Sequence, residues 1–402
     1  MIVVLGLMVA LGPLTIDMYL PALPRIAEDL SVSTAVVQLT LTGTLAGLAV
    51  GQLFIGPLSD SLGRRLPVMV GIALHMVASL ICLFAPNIGV LGAGRVLQGF
   101  GAAAAAVVAV AVVGDLYADS AAATVMSRLI LVLGVAPVIA PSLGAAVLSR
   151  ASWHWVFAVL VVLAGLLLLL AALALPETLP VPNRRPLQVR SIVATYGELL
   201  RDVRFVTLVL VAALSLAGLF GYIAAAPFVL QGDYGLDQQS FALVFAAGAI
   251  ILIGATQSNV ALLRRFSPQA IMLVALAVSV SAAVVFVVLA VTGVAGLAGF
   301  LAPVLVILGG MGLVLPNAPA VALSRHHDAA GTSAALLGAA QFGLGAVTAP
   351  LVGVLGNTEF ALALVMLIGS AVALAAMVFV GVPPRTVAAQ AAALGDPLAE
   401  PA

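Results

Sequence analysis

An aspartate stands alone inside the first apolar stretch of the chain, in Pro13-Leu14-Thr15-Ile16-Asp17-Met18-Tyr19-Leu20-Pro21. An acid at the centre of a membrane helix costs about 2.5–3.5 kcal/mol on insertion scales, so such a residue is normally kept for function. A low-dielectric site also favours the neutral form of an acid. Asp17 is therefore a candidate proton carrier or cation-binding group. The bland alternative is an acid that snorkels out of its helix end, with Arg25 eight residues further on. The cost of intramembrane charge favours the functional reading.

Arg95, in Gly94-Arg95-Val96-Leu97-Gln98-Gly99, is the matching cation. It lies about eight residues, or roughly 12 Å along a helix, from the loop at Asn87, a depth similar to that of Asp17. Matching depth makes a shared polar pocket feasible. A structural arginine bonded to backbone carbonyls is the alternative.

Two further clusters carry chemistry. Residues 56–65, Gly56-Pro57-Leu58-Ser59-Asp60-Ser61-Leu62-Gly63-Arg64-Arg65, put three charges into ten residues between two apolar spans. This is expected to be a tight turn at a membrane face. Pro137-Val138-Ile139-Ala140-Pro141-Ser142-Leu143-Gly144 places two prolines and a glycine within one span, as suits a kinked, close-packed helix at a gating seam. A static kink is the alternative. Met18, Tyr19, Gln98, Tyr222, Phe228, Asn317, Gln341 and Phe342 supply aromatic, amide and thioether groups that suit a pocket for amphipathic ligands. His75, His154, His326 and His327 show no metal-ligand spacing, and no metal is expected. The chain has no lysine, so it has no Walker A site and is no ATP-driven pump by itself. No catalytic cluster points to an enzyme.

The elements that must position these residues follow from composition. Of 402 residues, 64% are hydrophobic and only 7% charged, against about 25% in soluble domains. An all-α integral membrane protein is the class that fits. Apolar runs of membrane length fall near 2–24, 34–56, 66–85, 89–114, 123–148, 153–175, 204–230, 239–263, 269–292, 296–322, 331–355 and 359–382. That makes twelve transmembrane helices. No cleavable signal peptide is expected. The single cysteine, Cys82, excludes an intrachain disulfide, and zero net charge argues against a nucleic-acid partner.

If the N-terminus is cytoplasmic, the inner loops and tail hold twelve of the fifteen arginines, and the outer loops hold only Arg25 and Arg150. The positive-inside rule then puts both termini in the cytoplasm of a multi-pass inner-membrane protein. The proline- and arginine-rich connection after the sixth span divides the chain six plus six. The expected units are residues 1–175, a linker at 176–203, residues 204–382 and a disordered tail at 383–402. Leu262-Leu263-Arg264-Arg265-Phe266 echoes the arginine pair of residues 56–65 at the corresponding place in the second half, as a parallel repeat requires.

On these motifs the chain resembles drug:proton antiporters of the major facilitator superfamily, of the bicyclomycin/chloramphenicol-resistance (Bcr/CflA) type. Residues 56–65 fit the loop motif Gly-x-Leu-x-Asp-x-x-Gly-Arg-Arg/Lys. Arg95-Val-Leu-Gln-Gly99 fits the fourth-span motif, residues 137–144 the antiporter motif, and residues 15–24 the first-span signature. The resemblance covers nearly all of residues 5–380. It implies two six-helix bundles around a central cavity and proton-coupled efflux of chloramphenicol-like, bicyclomycin-like or cationic drugs by alternating access. It also implies Arg95 in proton coupling, no cofactor beyond the proton gradient, and a monomer whose partners are drug, protons and lipid. Ala140 and Ala145 stand where glycine is usual, and Gly114-Asp115 where the family often has Arg-Asp. If protons are carried, Asp17 is then expected to carry them alone. A major facilitator permease for a sugar or amino acid is the alternative. Asp60 is expected to accept from the start of span eleven near residues 331–333, and Arg64 or Arg65 to pair with Asp115. Together they would form a latch that exists only when the cytoplasmic side is closed.

Overall fold

The computed structural model describes residues 1–117, 119–184, 189–324, 326 and 329–380. Expectations for the tail at 383–402 and for His327 lie outside them. The described chain is helical throughout, since a backbone in hydrocarbon must satisfy its own polar groups. In order the helices are α1 (Ile2–Asp17), α2 (Leu23–Asp29), α3 (Thr34–Leu62), α4 (Arg65–Leu83), α5 (Ile88–Leu116), α6 (Asp119–Leu148), α7 (His154–Ala174), α8 (Val189–Arg201), α9 (Val203–Phe228), α10 (Gln238–Leu262), α11 (Pro268–Thr292), α12 (Gly296–Leu323), α13 (Ala330–Val354) and α14 (Glu359–Val380). Twelve spans among the described residues are long and apolar enough to cross a bilayer, with α1 and α2 forming the first. Several begin on short polar side chains that accept from the first free amides. Ser33 takes Val36 N–H, Asn87 takes Val90 N–H, Asp237 takes Ser240 N–H and Ser267 takes Ala270 N–H.

Within the first half, α5 packs on α1, α3 and α4, while α6 lies against α1 and α7 against α4. In the second half, α9 packs on α12, α13 and α14, and α11 bridges α12 and α14. The halves meet along two antiparallel seams, α3 with α13 and α6 with α10. The two ends of this bundle are unlike. One, where α1 begins and α3 ends, carries most of the arginines; the other joins α1 to α3 and α13 to α14.

Three features depart from the hydropathy reading. First, α1 stops at Asp17 and the chain passes through a short 3-10 turn at Leu20–Ala22 before α2. Prolines 21 and 24 lack the amides that a continuous helix would need.

Second, the expected turn at residues 56–65 is mostly helix, because α3 runs on through Gly56, Pro57 and Asp60 to Leu62. Only Gly63 leaves the helical region, at φ +92, where a Cβ would be strained and would strike the Glu177 carboxylate. An interior proline frees the carbonyl four residues back, at a cost of about 3 kcal/mol. Here that carbonyl, of Leu53, is met by the Tyr196 hydroxyl at 3.5 Å.

Tyr196 belongs to the third departure, α8. This helix lies within the 176–203 connection, too short for a membrane-length scan to register, and it rests on α9 and α13 with Leu199 buried. Tyr196→Phe is expected to lower the thermal midpoint by an amount equivalent to about 0.6 kcal/mol, the usual worth of a hydrogen bond between membrane helices. An unchanged midpoint would show that the Leu53 carbonyl does not need the hydroxyl. Gly144 supports the α1 break from the other side, since a Cβ there would collide with the Met18 carbonyl oxygen. Gly144→Val should therefore cost about 1–3 kcal/mol of stability by overpacking, read in the same melts.

Candidate functional site

Asp17 closes α1 and faces a cavity of about 480 Å³ between the halves, a size suited to a drug-like molecule. The wall is mainly aliphatic, with Leu131 and Leu133 from α6, Leu216 and Leu219 from α9, and Leu252 and Ile253 from α10. Its polar members are Tyr222, Thr256, Gln257 and Gln341. Among the described residues Asp17 is the sole charged side chain on it. Only 3% of Asp17 is exposed, and among the described residues its carboxylate has neither a hydrogen-bond partner nor an ion pair.

Arg95 does not neutralise it. The guanidinium is fully buried within the first half, where Nη1 donates to the Thr15 carbonyl at 3.0 Å and to Gln98 Oε1 at 2.8 Å. Its central carbon lies 4.5 Å from the centre of the Tyr19 ring, a cation–π contact worth about 2 kcal/mol when desolvated. Nε and Nη2 have no hydrogen-bond acceptor. Arg95 therefore grips the backbone two residues before Asp17, and acid and base act on the same helix end without touching.

The group around Arg95 includes residues that sequence spacing did not single out. Gln98 Nε2 donates to Ser79 Oγ at 2.7 Å. His75, wholly buried, sits with Nε2 2.7 Å from Thr15 Oγ1, and that hydroxyl donates to the Leu11 carbonyl. With the hydroxyl proton committed to Leu11, the imidazole Nε2–H is the donor, and Nδ1 is left without a partner. A metal search over the histidines could not find this role, because it depends on a neighbouring helix.

Of the eight side chains expected to line a pocket, Tyr222 and Gln341 stand on the cavity wall. Tyr222 stacks on Phe245, with ring centres 5.6 Å apart. The other six are not on the wall. Tyr19 and Gln98 hold Arg95, and Met18 backs onto α6 at Gly144. Phe228 ends α9, and Phe342 packs on Phe220. Asn317 forms a reciprocal amide pair with Asn259 that ties α12 to α10. Each is turned into helix packing, which aromatic and amide composition alone does not reveal. Pro137 reaches the wall, whereas Pro141 and Gly144 do not, and α6 is continuous through both prolines.

At the arginine-poor end the halves are clasped. Gln38 of α3 donates from Nε2 to the Ala224 carbonyl of α9 at 2.8 Å and to Asn357 Oδ1 at 2.6 Å. Both amide side chains are buried, and the fit requires Gly353, where a Cβ would overlap Gln38.

At the other end, Arg64 gathers the motif of residues 56–65. Its Nε donates to Asp115 at 2.9 Å, and Nη1 donates to Ser59 and Asp60. Asp60 pairs with Arg64 and not with the start of α13, so the expected bond to residues 331–333 is not made. The Arg64–Asp115 pair joins α3–α4 to α5 within one half, and it therefore cannot depend on closure between halves. Arg65 donates instead to the Ala172 carbonyl. Gly56 contacts nothing that would exclude a side chain. Glu177, which sequence analysis passed over, takes the Arg64 and Arg65 amides at 2.8 and 3.3 Å. Partial burial pushes its carboxyl up. The amides of Leu179, Arg64 and Arg65 with the Arg184 guanidinium outweigh that and hold it below the usual glutamate value. The cap is thus present above that usual range and is lost as pH falls through the lowered value. Among the described residues no three His, Cys, Asp or Glu side chains could hold a metal.

Residues 5–350 match the family model described as Major Facilitator Superfamily. The chain is 37% identical over 371 residues to an uncharacterized MFS-type transporter of Bacillus subtilis, covering 90% of this chain and 91% of that one. It is 31% identical over 351 residues to a bicyclomycin resistance protein homolog of Haemophilus influenzae, covering 87% and 88%. It is also 31% identical over 381 residues to a Salmonella dublin protein named multidrug resistance protein MdtL, covering 95% of each. Among solved structures, a partially occluded inward-open xylose transporter from E. coli superposes with a TM-score of 0.70 at 14% identity, covering 96% of this chain and 98% of that one. The human organic anion transporter MFSD10 gives 0.68 at 19%, covering 94% and 98%. Both likenesses concern the fold alone. With its twelve spans, two packed halves and shared motifs, the chain belongs to the major facilitator superfamily, as a transporter of the bicyclomycin- and multidrug-resistance (Bcr/CflA) group.

Proposed function

We propose that the protein exports small amphipathic drugs in exchange for protons, by alternating access between residues 1–175 and 204–382. One observation carries this reading: among the described residues Asp17 is the one carboxylate on a mainly aliphatic wall, without a partner, at the point where α1 breaks. Such a group binds either a proton or the polar or cationic end of a drug, and the two compete. The relatives named for bicyclomycin and multidrug resistance support drugs as the cargo. The wall favours them over a sugar, whose hydroxyls need more hydrogen-bonding groups than Tyr222, Thr256, Gln257 and Gln341 provide.

The arginine-rich face is assigned to the cytoplasm of the inner membrane, with both termini there. The Gln38 clasp then shuts the periplasmic end, and the wall residues Thr256, Gln257, Pro316 and Pro319 lie on the cytoplasmic side of mid-helix. The structure is read as inward-facing. In the cycle, drug enters from the cytoplasm and engages deprotonated Asp17. The clasp opens, a periplasmic proton displaces the drug, and the proton leaves inward after return. Arg95 holds the Thr15 carbonyl throughout and keeps the broken end of α1 in place. The energy source is the proton gradient, and the working unit is the monomer.

Asp17→Asn in proteoliposomes is expected to reduce drug efflux driven by an imposed pH gradient to background. Undiminished coupled efflux would overturn the carrier role. Gln38→Leu removes two bonds between the halves, each worth about 0.6 kcal/mol, and should raise the outward-open population roughly threefold to tenfold. Spin-label distances between the outer ends of α3 and α13 read this directly, and an unaltered distribution would refute the clasp.

A further inference from the structure

The arginine pair of the second half is built differently from that of the first. Arg64 is enclosed by Asp60 and Asp115, but residues 262–268, Leu-Leu-Arg-Arg-Phe-Ser-Pro, contain no acid, and Arg264 is exposed. Beside it, α10, α11 and α12 leave a groove of about 430 Å³. Leu262 and Phe266 form its end next to Arg264, and Val274, Val278 and Val306 line it further along. Gly309 of α12 lies along its floor, where a Cβ would have room beside Ile251, while Gly310 lets α12 approach Ser279 of α11 closely. From Ala270 to Val278 it follows α11 for roughly 12 Å, from the level of the arginines toward the middle of the bilayer.

This groove is separate from the transport cavity. α10 presents Leu252, Ile253 and Thr256 to the cavity and Ala255 and Leu262 to the groove. Val274, Val278 and Val306 are 63%, 46% and 46% exposed, so the groove opens to the surrounding hydrocarbon and not to the centre of the protein. Its lining offers no polar side chain with which to orient a drug. What fits is a long, flexible apolar chain whose polar end stops at the arginines.

We propose that the groove is a binding site for an anionic phospholipid of the arginine-side leaflet, with an acyl chain along α11 and the phosphate on Arg264. A guanidinium donates two parallel N–H groups to phosphate oxygens, a geometry that an ammonium lacks. The N-terminal end of the α11 dipole, starting at Pro268, adds positive potential at the same level. Anionic headgroups gather around such basic clusters at the cytoplasmic interface. The site makes no use of Asp17 and does not rest on the direction or cargo of transport.

The test is native mass spectrometry of the full-length protein released from nanodiscs of equimolar phosphatidylglycerol and phosphatidylethanolamine. The wild type is expected to retain phosphatidylglycerol about fivefold over phosphatidylethanolamine, the discrimination one basic residue supplies at a membrane surface. Arg264→Gln should bring the ratio close to one. Gly309→Leu fills the floor and should reduce retention of both lipids, and Arg150→Gln, at the opposite end, should leave the wild-type ratio. Equal retention of the two lipids by the wild type would overturn the proposal. So would an unchanged phosphatidylglycerol preference in Arg264→Gln. Because Arg264 is exposed, its variant keeps the test decisive even where Gly309→Leu does not fold.

Discussion

Arg95 is a permanent charge wholly removed from water, and among the described residues no carboxylate pairs with it. An uncompensated guanidinium in hydrocarbon is too costly to leave to chance, so the first half is arranged around satisfying it. The Thr15 carbonyl is available because it lies near the end of α1, where backbone acceptors lose their helical donors. Gln98 accepts from the same side, Tyr19 offers a ring face, and Ser79 and Thr15 extend the network to α4. Breaking α1 after Asp17 thus serves two purposes. It gives Arg95 its acceptor, and it leaves Asp17 turned to the cavity with no cation of its own.

That separation matters for mechanism. A direct ion pair would hold Asp17 ionised and occupied, unavailable for proton or drug. With the arginine anchored on the Thr15 carbonyl, the carboxylate is left unpaired while its position is still held, as the proposed exchange requires. The same logic recurs where helices must be interrupted. The Leu53 carbonyl released by Pro57 is met by a hydroxyl from α8, and two buried amides close the far end without introducing charge. Neutral amides suit a gate because separating them leaves no bare charge in hydrocarbon. Arginine–carboxylate pairs are kept for the watery face, where Arg64 meets Asp60 and Asp115.

The fold was highly legible. Twelve apolar runs and the proline- and arginine-rich connection between the sixth and seventh follow from local hydropathy and composition. Asp17 also stood out from the sequence alone, since a carboxylate in an apolar run is costly wherever it points. Much less of the pocket could be read. Met18, Tyr19, Gln98, Phe228, Asn317 and Phe342 have the same chemical character as Tyr222 and Gln341, and only the rotation of each helix against its neighbours separates wall from packing. Glu177 and His75 were passed over because their roles come from partners 113 and 60 residues away in sequence.

By itself, then, the sequence determined that the chain spans a membrane twelve times, roughly where those spans fall, and that one acid and one base lie within spans of the first half. It determined these because burial cost and backbone satisfaction act residue by residue. Only the tertiary structure decided that Asp17 and Arg95 stand apart, that Arg64 belongs to one half and cannot report closure, and that Gln38 joins the two. Those outcomes depend on which helix faces come together. A two-half bundle with close glycine contacts sets those faces through packing, and local pattern does not encode them.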